Sequence, residues 1–404
     1  MRKSMRITYI HQHFVLPGEP GGSRPYEFAR RMAADGHHVT MICGGQAPMD
    51  RVVDGIHVRR LAIPYRNEMS TRERIGSFVS FLVRASVVAA RVPADVVFAS
   101  STPLTVAVPG IVAKFVRRAP LVSEIRDLWP EVPIKLGYLN NPVAIFLAKT
   151  LEKAFYAASS QVVALSPSMG QGVAAVAPGK DVTVIPNASD FERFDVPADQ
   201  RAAFRAEQGW GDDVVAVYAG GFGMSYQLEW IVDLAEQLRR DGVEGVRFVL
   251  IGQGSDSEAL HRRALDAGLD ADAMFLGRQP KEAVAKYVSA ADVALSPLRD
   301  DPCLEGNSLN KVFDAMAASR PVVFNHGGWL EEAATEHDSG WRLPRDIPAA
   351  ARKFAEIVAD RDALRAAGQR NRALGEKRFA RDSLYSQLMD VLNSAVSGIR
   401  KEQN

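Results

Sequence analysis

The feature that most constrains this 404-residue chain is a series of short β-rich runs separated by longer helical patterns, which it runs through twice. Strands are expected at 6–10, 38–43, 95–99, 120–125, 161–165 and 182–185, and again at 214–218, 247–251, 273–276, 292–295, 321–324 and 340–343. Most are Val/Ile/Leu runs without polar alternation, the pattern of parallel strands buried on both faces. Between them lie helical patterns such as Leu228, Ile231, Val232, Ala235 and Leu238, which share one face and stop at Gly242. Alternating β and α elements imply right-handed crossovers and two doubly wound α/β sheets.

A polar, proline-containing stretch separates the two series, from Pro186-Asn-Ala-Ser-Asp through Phe191-Glu-Arg-Phe-Asp-Val-Pro197, and reads as a hinge. The expected domains are therefore 1–190 and 191–382, with a C-terminal helix over roughly 383–404 packing back on the first. The net charge of +1 hides an asymmetry. Residues 1–190 hold 22 Lys+Arg against 14 Asp+Glu, and the rest holds 27 against 34. A basic first half suits an anionic partner, and a solvated basic face is the alternative. No basic stripe carries interleaved aromatics, so nucleic acid is not an expected partner. Two cysteines, Cys43 and Cys303, fit no metal spacing and no disulfide framework, in keeping with a reducing cytoplasm. The N-terminal residues lack a signal-like apolar stretch. The longest apolar run, 75–92, is broken by Arg84 and falls short of the roughly 20 residues a membrane span needs.

Four segments can carry chemistry. Pro17-Gly-Glu-Pro-Gly-Gly-Ser-Arg24 follows the first strand and precedes a helix. Gly21 and Gly22 would let backbone amides approach a phosphate, and Arg24 would add a forked cation, although a structural turn has the same composition. Tyr218-Ala-Gly-Gly-Phe-Gly223 occupies the matching place in the second half, with Gly220 and Gly221 in the same role. Ser123-Glu-Ile-Arg-Asp-Leu-Trp-Pro-Glu131 begins at a strand end. There Arg126 would fix a phosphate and Asp127 would orient or deprotonate a hydroxyl, with a structural ion pair as the alternative. Finally, Glu305-Gly-Asn-Ser-Leu-Asn-Lys-Val-Phe-Asp314 runs from a polar turn into a helix. Asn307, Ser308 and Lys311 near its N-terminus would favour a diphosphate, and Asp314 one turn on would take ribose hydroxyls. His11, His13 and His326 follow strand ends, but no histidine or cysteine cluster marks a metal site.

With these residues in view, the chain resembles glycosyltransferase family 4. The resemblance covers nearly the whole length. It rests on the Gly-Gly-Ser-Arg24 loop with Gly36-His-His-Val39, on Arg126-Asp-Leu-Trp-Pro-Glu131, on Ile185-Pro-Asn187, and on Asn310-Lys-Val-Phe-Asp-Ala-Met-Ala-Ala318 leading to Arg320-Pro-Val-Val323. It is most similar to the bacterial surface-polysaccharide branch that includes L-fucosamine transferases. The resemblance implies a GT-B fold, two Rossmann-like doubly wound domains facing a central cleft. It also implies a nucleotide-sugar donor, UDP being the expected base, on the C-terminal domain and a glycan or polyprenyl-diphosphate-linked acceptor on the N-terminal one. Retention at the anomeric carbon, no obligatory metal, and a cytoplasmic enzyme peripheral to the inner membrane face follow in the same way.

The chain departs from the family pattern at two places. The first of two glutamates common in the family falls on Gly306, with Glu305 one residue off, and the second is Asp314. The Arg and Lys that commonly follow the second glycine loop are missing from Gly223-Met-Ser-Tyr-Gln-Leu228, so Lys311, or Arg278 or Arg299, is expected to supply that charge. Two other readings stay open: a nucleotide-sugar 2-epimerase of the same fold, and a GT-B subunit that binds without turnover. The helix expected over 71–92 carries Phe78, Phe81, Leu82 and Ala85, a stripe that either touches lipid or, more commonly, faces the core.

Overall fold

The computed structural model describes residues 4–19, 24–66, 69–188 and 190–402. The chain divides into two compact units. One comprises residues up to Pro186 together with the segment from Leu384 onward, and the other runs from Asn187 to Ser383.

The first unit is built on an eight-stranded sheet. Its strands are β1 (Arg6–Ile10), β2 (His38–Gly45), β3 (Met49–Val53), β4 (Ile56–Ala62), β5 (Val96–Ser100), β6 (Leu121–Ile125), β7 (Gln161–Ala164) and β8 (Val182–Val184), in the order β3-β4-β2-β1-β5-β6-β7-β8. All neighbours are parallel except the β3–β4 hairpin. That hairpin turns through Asp54 and Gly55, both at positive φ, the backbone twist that a two-residue turn between right-twisted strands requires. β5 and β6 are buried at every position, including Ser100, Ser123 and Glu124 among their apolar residues.

Right-handed crossovers put helices on both faces, because β1 to β2 and β5 to β6 step across the sheet in opposite directions. On one side, helix Arg24–Ala34 meets the C-terminal helix Arg381–Glu402: Tyr385 OH donates to Asp35 Oδ2 at 2.7 Å, and its ring lies 6.4 Å from that of Phe28. On the other, helices Thr71–Ala89, Ala107–Arg117 and Pro142–Ala158 share one apolar core with β5 to β7, through Phe81, Ala85, Ala113, Phe155 and Tyr156. Phe81 and Ala85 therefore belong to the core and are not free to touch lipid. A capping box holds the start of helix Thr71–Ala89, Ser70 and Glu73 each accepting from the other's backbone amide.

The second unit has five parallel strands, β9 (Val214–Ala219), β10 (Val246–Ile251), β11 (Val293–Ser296), β12 (Val322–Phe324) and β13 (Gly340–Arg342), in the order β10-β9-β11-β12-β13. Helix Glu229–Arg240 covers one face with Trp230, Ile231, Leu234 and Leu238, and packs with Phe354 in a core that includes Tyr218 and Phe222. One expected strand, 273–276, is instead mostly helical: Ala271–Met274 forms a single turn capped by Asp270, whose side chain accepts from Ala273 N at 3.1 Å. The segment meets the sheet only as an isolated bridge between Phe275 and Leu250, with the Leu276 amide donating to the Leu250 carbonyl at 3.1 Å. A four-residue apolar run fits either element, and the cap decided it.

Candidate functional site

In open parallel sheets, ligands bind beyond the carboxyl ends of the strands where the strand order reverses. In the first unit that point lies between β1 and β5. Residues just past β1, β5 and β6 converge there. His11 Nδ1 donates to the Ser100 carbonyl at 3.0 Å, which leaves Nε2 to accept from Arg126 Nη1 at 3.2 Å. Only a neutral imidazole satisfies both bonds. Burial, reinforced by the Arg126 charge, pushes the His11 pKa well below its usual value. His13 is pushed down to about 4 by burial and then by Arg126. It stands edge-on to His11 and packs 4.5 Å from the Tyr65 ring.

These side chains, with Gln12, Arg60 and Thr102, line a cavity of about 590 Å³. Two guanidiniums, that of Arg60 paired with the lining carboxylate Glu19, and two neutral imidazoles in a half-apolar wall suit a hydroxyl-bearing ligand. Asp127 is not part of the lining. Its carboxylate accepts from Thr102 Oγ1 at 3.2 Å, and burial raises its pKa against the opposing pull of Arg126 and Thr102. Arg126 and Asp127 thus sit together at the strand end, as their spacing suggests, but do not pair with each other. His11 and His13 are placed by the sequence just past the first strand, where they either line a ligand site or serve as structural histidines, and they line this cavity. Tyr65 carried no pattern that would have marked it.

Arg24 is a correction. Its guanidinium is buried, pairs with Glu124 and uses four of its five N–H donors within the first unit, so it is held as a structural cation rather than a phosphate-binding one. Nε and Nη2 donate to Glu124 Oε1 at 3.0 and 2.8 Å, Nη2 also to the Ile185 carbonyl at 2.9 Å, and Nη1 to the Pro186 carbonyl. Ser100 Oγ donates to the other oxygen of Glu124 at 2.5 Å. A side chain with its donors so engaged ties the first helix to β6 and to the end of β8. Gly21 and Gly22, the other expected phosphate contacts of that loop, lie outside the described residues.

In the second unit the strand order reverses between β9 and β11. Lys311, in the first turn of helix Asn310–Ala317, reaches the end of β9 there. Its Nζ donates to Tyr218 OH at 3.0 Å and lies 4.1 Å from the Tyr218 ring centre and 3.9 Å from that of Tyr226. Among the described residues no carboxylate pairs with it, so the two aromatic faces hold the ammonium. Burial pushes its pKa well below the ordinary lysine value.

The glycine loop closes against this lysine. A Cβ at Gly220 would stand 3.0 Å from Tyr218 OH and 3.3 Å from Lys311 Cε. The Gly220 amide, however, donates to the Ile251 carbonyl at 2.9 Å and the Phe222 amide to that of Gln253 at 3.2 Å. The expectation that Gly220 offers its N–H to a phosphate is thereby corrected: it supplies close approach, and Gly221 is the exposed residue of the pair. Ser308 Oγ accepts from the Asn187 amide at 3.0 Å, and the Ser308 carbonyl accepts from Asn187 Nδ2 at 2.8 Å, so Ser308 anchors the start of this unit. The Asn307 carbonyl accepts from Trp329 Nε1 at 3.1 Å, and its side-chain amide has no hydrogen-bond partner among the described residues. Glu305, one residue from the family position, accepts from the Gly327 amide at 3.1 Å. His326, held at about 4 by burial first and also by the Lys311 charge, is neutral.

Asp314 does not join Lys311. Burial, helped by the nearby Asp190 charge, outweighs the pull of Arg381, Arg193 and Lys281 and raises its pKa to about 7. With a folded pKa above the ordinary 3.8, this group costs stability as pH rises through the interval between the two. Asp314→Asn is therefore expected to raise the melting temperature at about pH 8 and to leave it nearly unchanged at about pH 4. Equal gains at both pH values would contradict this assignment.

Residues 21–188 match the family model described as "Glycosyl transferase 4-like domain", and residues 213–360 match "Glycosyl transferases group 1". The chain is 24% identical over 396 residues to the GDP-mannose-dependent alpha-(1-6)-phosphatidylinositol monomannoside mannosyltransferase of Mycobacterium tuberculosis, covering 96% of this chain and 98% of that one. Among solved structures, the sucrose-phosphate synthase of Thermosynechococcus elongatus superposes with a TM-score of 0.78 at 19% identity, covering 97% of this chain and 99% of its own. The Anabaena HepE structure, solved with UDP and glucose, gives 0.70 at 17% identity, covering 96% and 100%. At these identities the structures speak to the fold alone, and they agree with two parallel-sheet, Rossmann-like domains.

Proposed function

We propose that this chain, a glycosyltransferase of the GT-B superfamily, moves a sugar from a nucleoside-diphosphate donor, UDP being the first base to test, to a glycan or polyprenyl-diphosphate-linked acceptor, with retention at the anomeric carbon. The setting proposed is surface-polysaccharide assembly at the cytoplasmic face of the membrane. No described helix is long and apolar enough to cross a bilayer. The observation that carries the reading is the ammonium of Lys311, unpaired with any described carboxylate, beside a glycine loop at the strand-order reversal of the second unit.

Breaking the bond from C1 to the diphosphate leaves oxocarbenium character on the sugar and negative charge on the departing phosphate. In this reading Lys311, the Gly221 amide and the N-terminal dipole of helix Asn310–Ala317 stabilise that charge without having to reorganise. The acceptor hydroxyl attacks C1 on the face the phosphate leaves, and its proton passes to a leaving-group oxygen, so no covalent nucleophile is needed. In the first unit the cavity at His11, His13 and Arg126 binds the acceptor, and Asp127, outside the lining but bonded to the lining residue Thr102, orients the hydroxyl through that residue. In this reading the anionic diphosphate favours the protonated form of Lys311 that burial penalises, and the ammonium with the helix dipole takes the place of a metal.

Thermal shift with UDP, GDP and their sugars tests the donor site, since a ligand that binds only the folded state raises its melting temperature. A shift at millimolar nucleotide, undiminished by EDTA, is the expected result. No shift with any nucleotide would sink the reading. Asp127→Asn should keep the donor shift and lower acceptor-dependent nucleotide release about tenfold or more. Unchanged release would remove Asp127 from the mechanism, and release without an acceptor-derived product would point to epimerisation.

A further inference from the structure

The two units differ sharply in the apolar surface they leave uncovered. Among the described residues, every exposed large apolar side chain except Met224 and Leu265 lies in the first unit. Most of them fall on three helices that share one face of the sheet, Thr71–Ala89, Ala107–Arg117 and Pro142–Ala158. Helix Thr71–Ala89 shows the arrangement most clearly. Ser77, Phe81, Ala85 and Ala89, four residues apart, are buried. Ile75, Val79, Val83 and Val87, offset by two positions, are about half exposed. Two positions are roughly 200° on a helix, so the second stripe faces away from the sheet. On the next helix Phe115 is 68% exposed and Val116 56%, and on the third Phe146 is 69% exposed and Leu147 60%.

The charge on these helices is one-sided. Their acidic residues are Glu73, which belongs to the capping box at one helix end, and Glu152, which is buried. Exposed basic residues on or just after the same helices are Arg72, Arg84, Arg91, Arg118, Lys149 and Lys153. Helices apolar towards the core and apolar again on their outer side, flanked by cations and nearly free of carboxylates, match the surface of an anionic bilayer. Apolar side chains enter the headgroup boundary while lysine and arginine meet lipid phosphates.

We infer that the outer face of helices 71–89, 107–117 and 142–158 docks on the surface of a bilayer containing anionic lipid. The inference deepens the membrane setting proposed above by assigning the surface that docks, and its test is separable from the transferase reading because docking needs neither donor nor turnover. It also changes which side chains meet lipid: the outward valines of helix 71–89 and the exposed phenylalanines, not the core residues Phe81 and Ala85.

Co-sedimentation of the full chain with vesicles is the test. Phosphatidylcholine vesicles are compared with vesicles carrying about 30% phosphatidylglycerol. Wild type is expected to bind the anionic vesicles and to be released as salt rises, because the Debye length falls from about 10 Å at 0.1 M to about 3 Å at 1 M. The triple variant Val79→Ser, Phe115→Ser, Phe146→Ser should lose about tenfold or more in partition. Its melting temperature should stay within a few degrees, because all three side chains are exposed. Lys149→Glu with Lys153→Glu should weaken binding to anionic vesicles only. The inference is overturned if wild type ignores anionic vesicles or if the variants partition as it does. It is also overturned if wild type is a dimer that the triple variant makes monomeric, since that result assigns the face to a second copy. Vesicle binding without any nucleotide shift would leave this surface standing and remove only the transferase assignment.

Discussion

Lys311→Ala is expected to lower kcat/KM for the nucleotide-sugar donor by about 10²–10³ and to abolish the nucleotide-dependent rise in melting temperature. The size follows from position. In the second unit Lys311 is partly buried at the strand-order reversal, and its ammonium rests on two tyrosine faces with no described carboxylate to neutralise it. A cation held in low dielectric acts on departing phosphate charge far more strongly than one in water. The same burial makes the lysine unfavourable to the fold: its pKa lies well below the ordinary value, so the protonated form is the penalised one. Lys311→Met should therefore melt no lower than wild type while failing to bind donor. A variant that lost both stability and nucleotide binding would show that Lys311 serves packing. A variant that kept full donor affinity would remove it from the site, and exposed Arg278 or Arg299 would have to supply the charge.

How much of this was legible in the sequence depended on the range of the interaction. Parallel strands buried on both faces announce themselves, because a run such as Leu121–Ile125 is mostly apolar and its one charge, Glu124, is paired. The β3–β4 hairpin was missed for the complementary reason. Met49–Val53 is an edge strand carrying Asp50 and Arg51 in solvent, so it lacks the apolar run being sought, although Asp54-Gly55 is a hairpin signal. Lys311 could be nominated from its place in the first turn of a helix. The tyrosines that hold it lie 93 and 85 positions earlier, and no local pattern brings them to it. The outward stripe of helix 71–89 was hidden differently. Apolar residues on both faces flatten the periodicity, so the sequence says the helix is apolar without saying which side the sheet covers.

The buried pair of Arg24 and Glu124 is where local reading misled most, and it carries the largest stability prediction. A Gly-Gly-Ser-Arg sequence before a helix invites a phosphate, yet the carboxylate Arg24 meets stands 100 positions away. The signal that was available is Glu124 itself, a charged residue within an otherwise apolar strand, which must have a partner if the strand is central. Removing one member leaves the other charge buried without its counterion, at a cost of about 3–5 kcal/mol. For a unit of this size Glu124→Leu or Arg24→Met should each lower the melting temperature by roughly 6–20 °C. The double variant should recover much of that loss, because replacing both charges by apolar groups removes the desolvation penalty together with the attraction. The recovery should be incomplete, since Arg24 also donates to the carbonyls of Ile185 and Pro186, and Ser100 Oγ would lose its acceptor. Thermal melts of the two single variants and the double variant measure this coupling directly. Additive losses would mean the two side chains act independently. A loss of donor shift in Arg24→Met with unchanged melting temperature would restore Arg24 to the phosphate role its loop suggested.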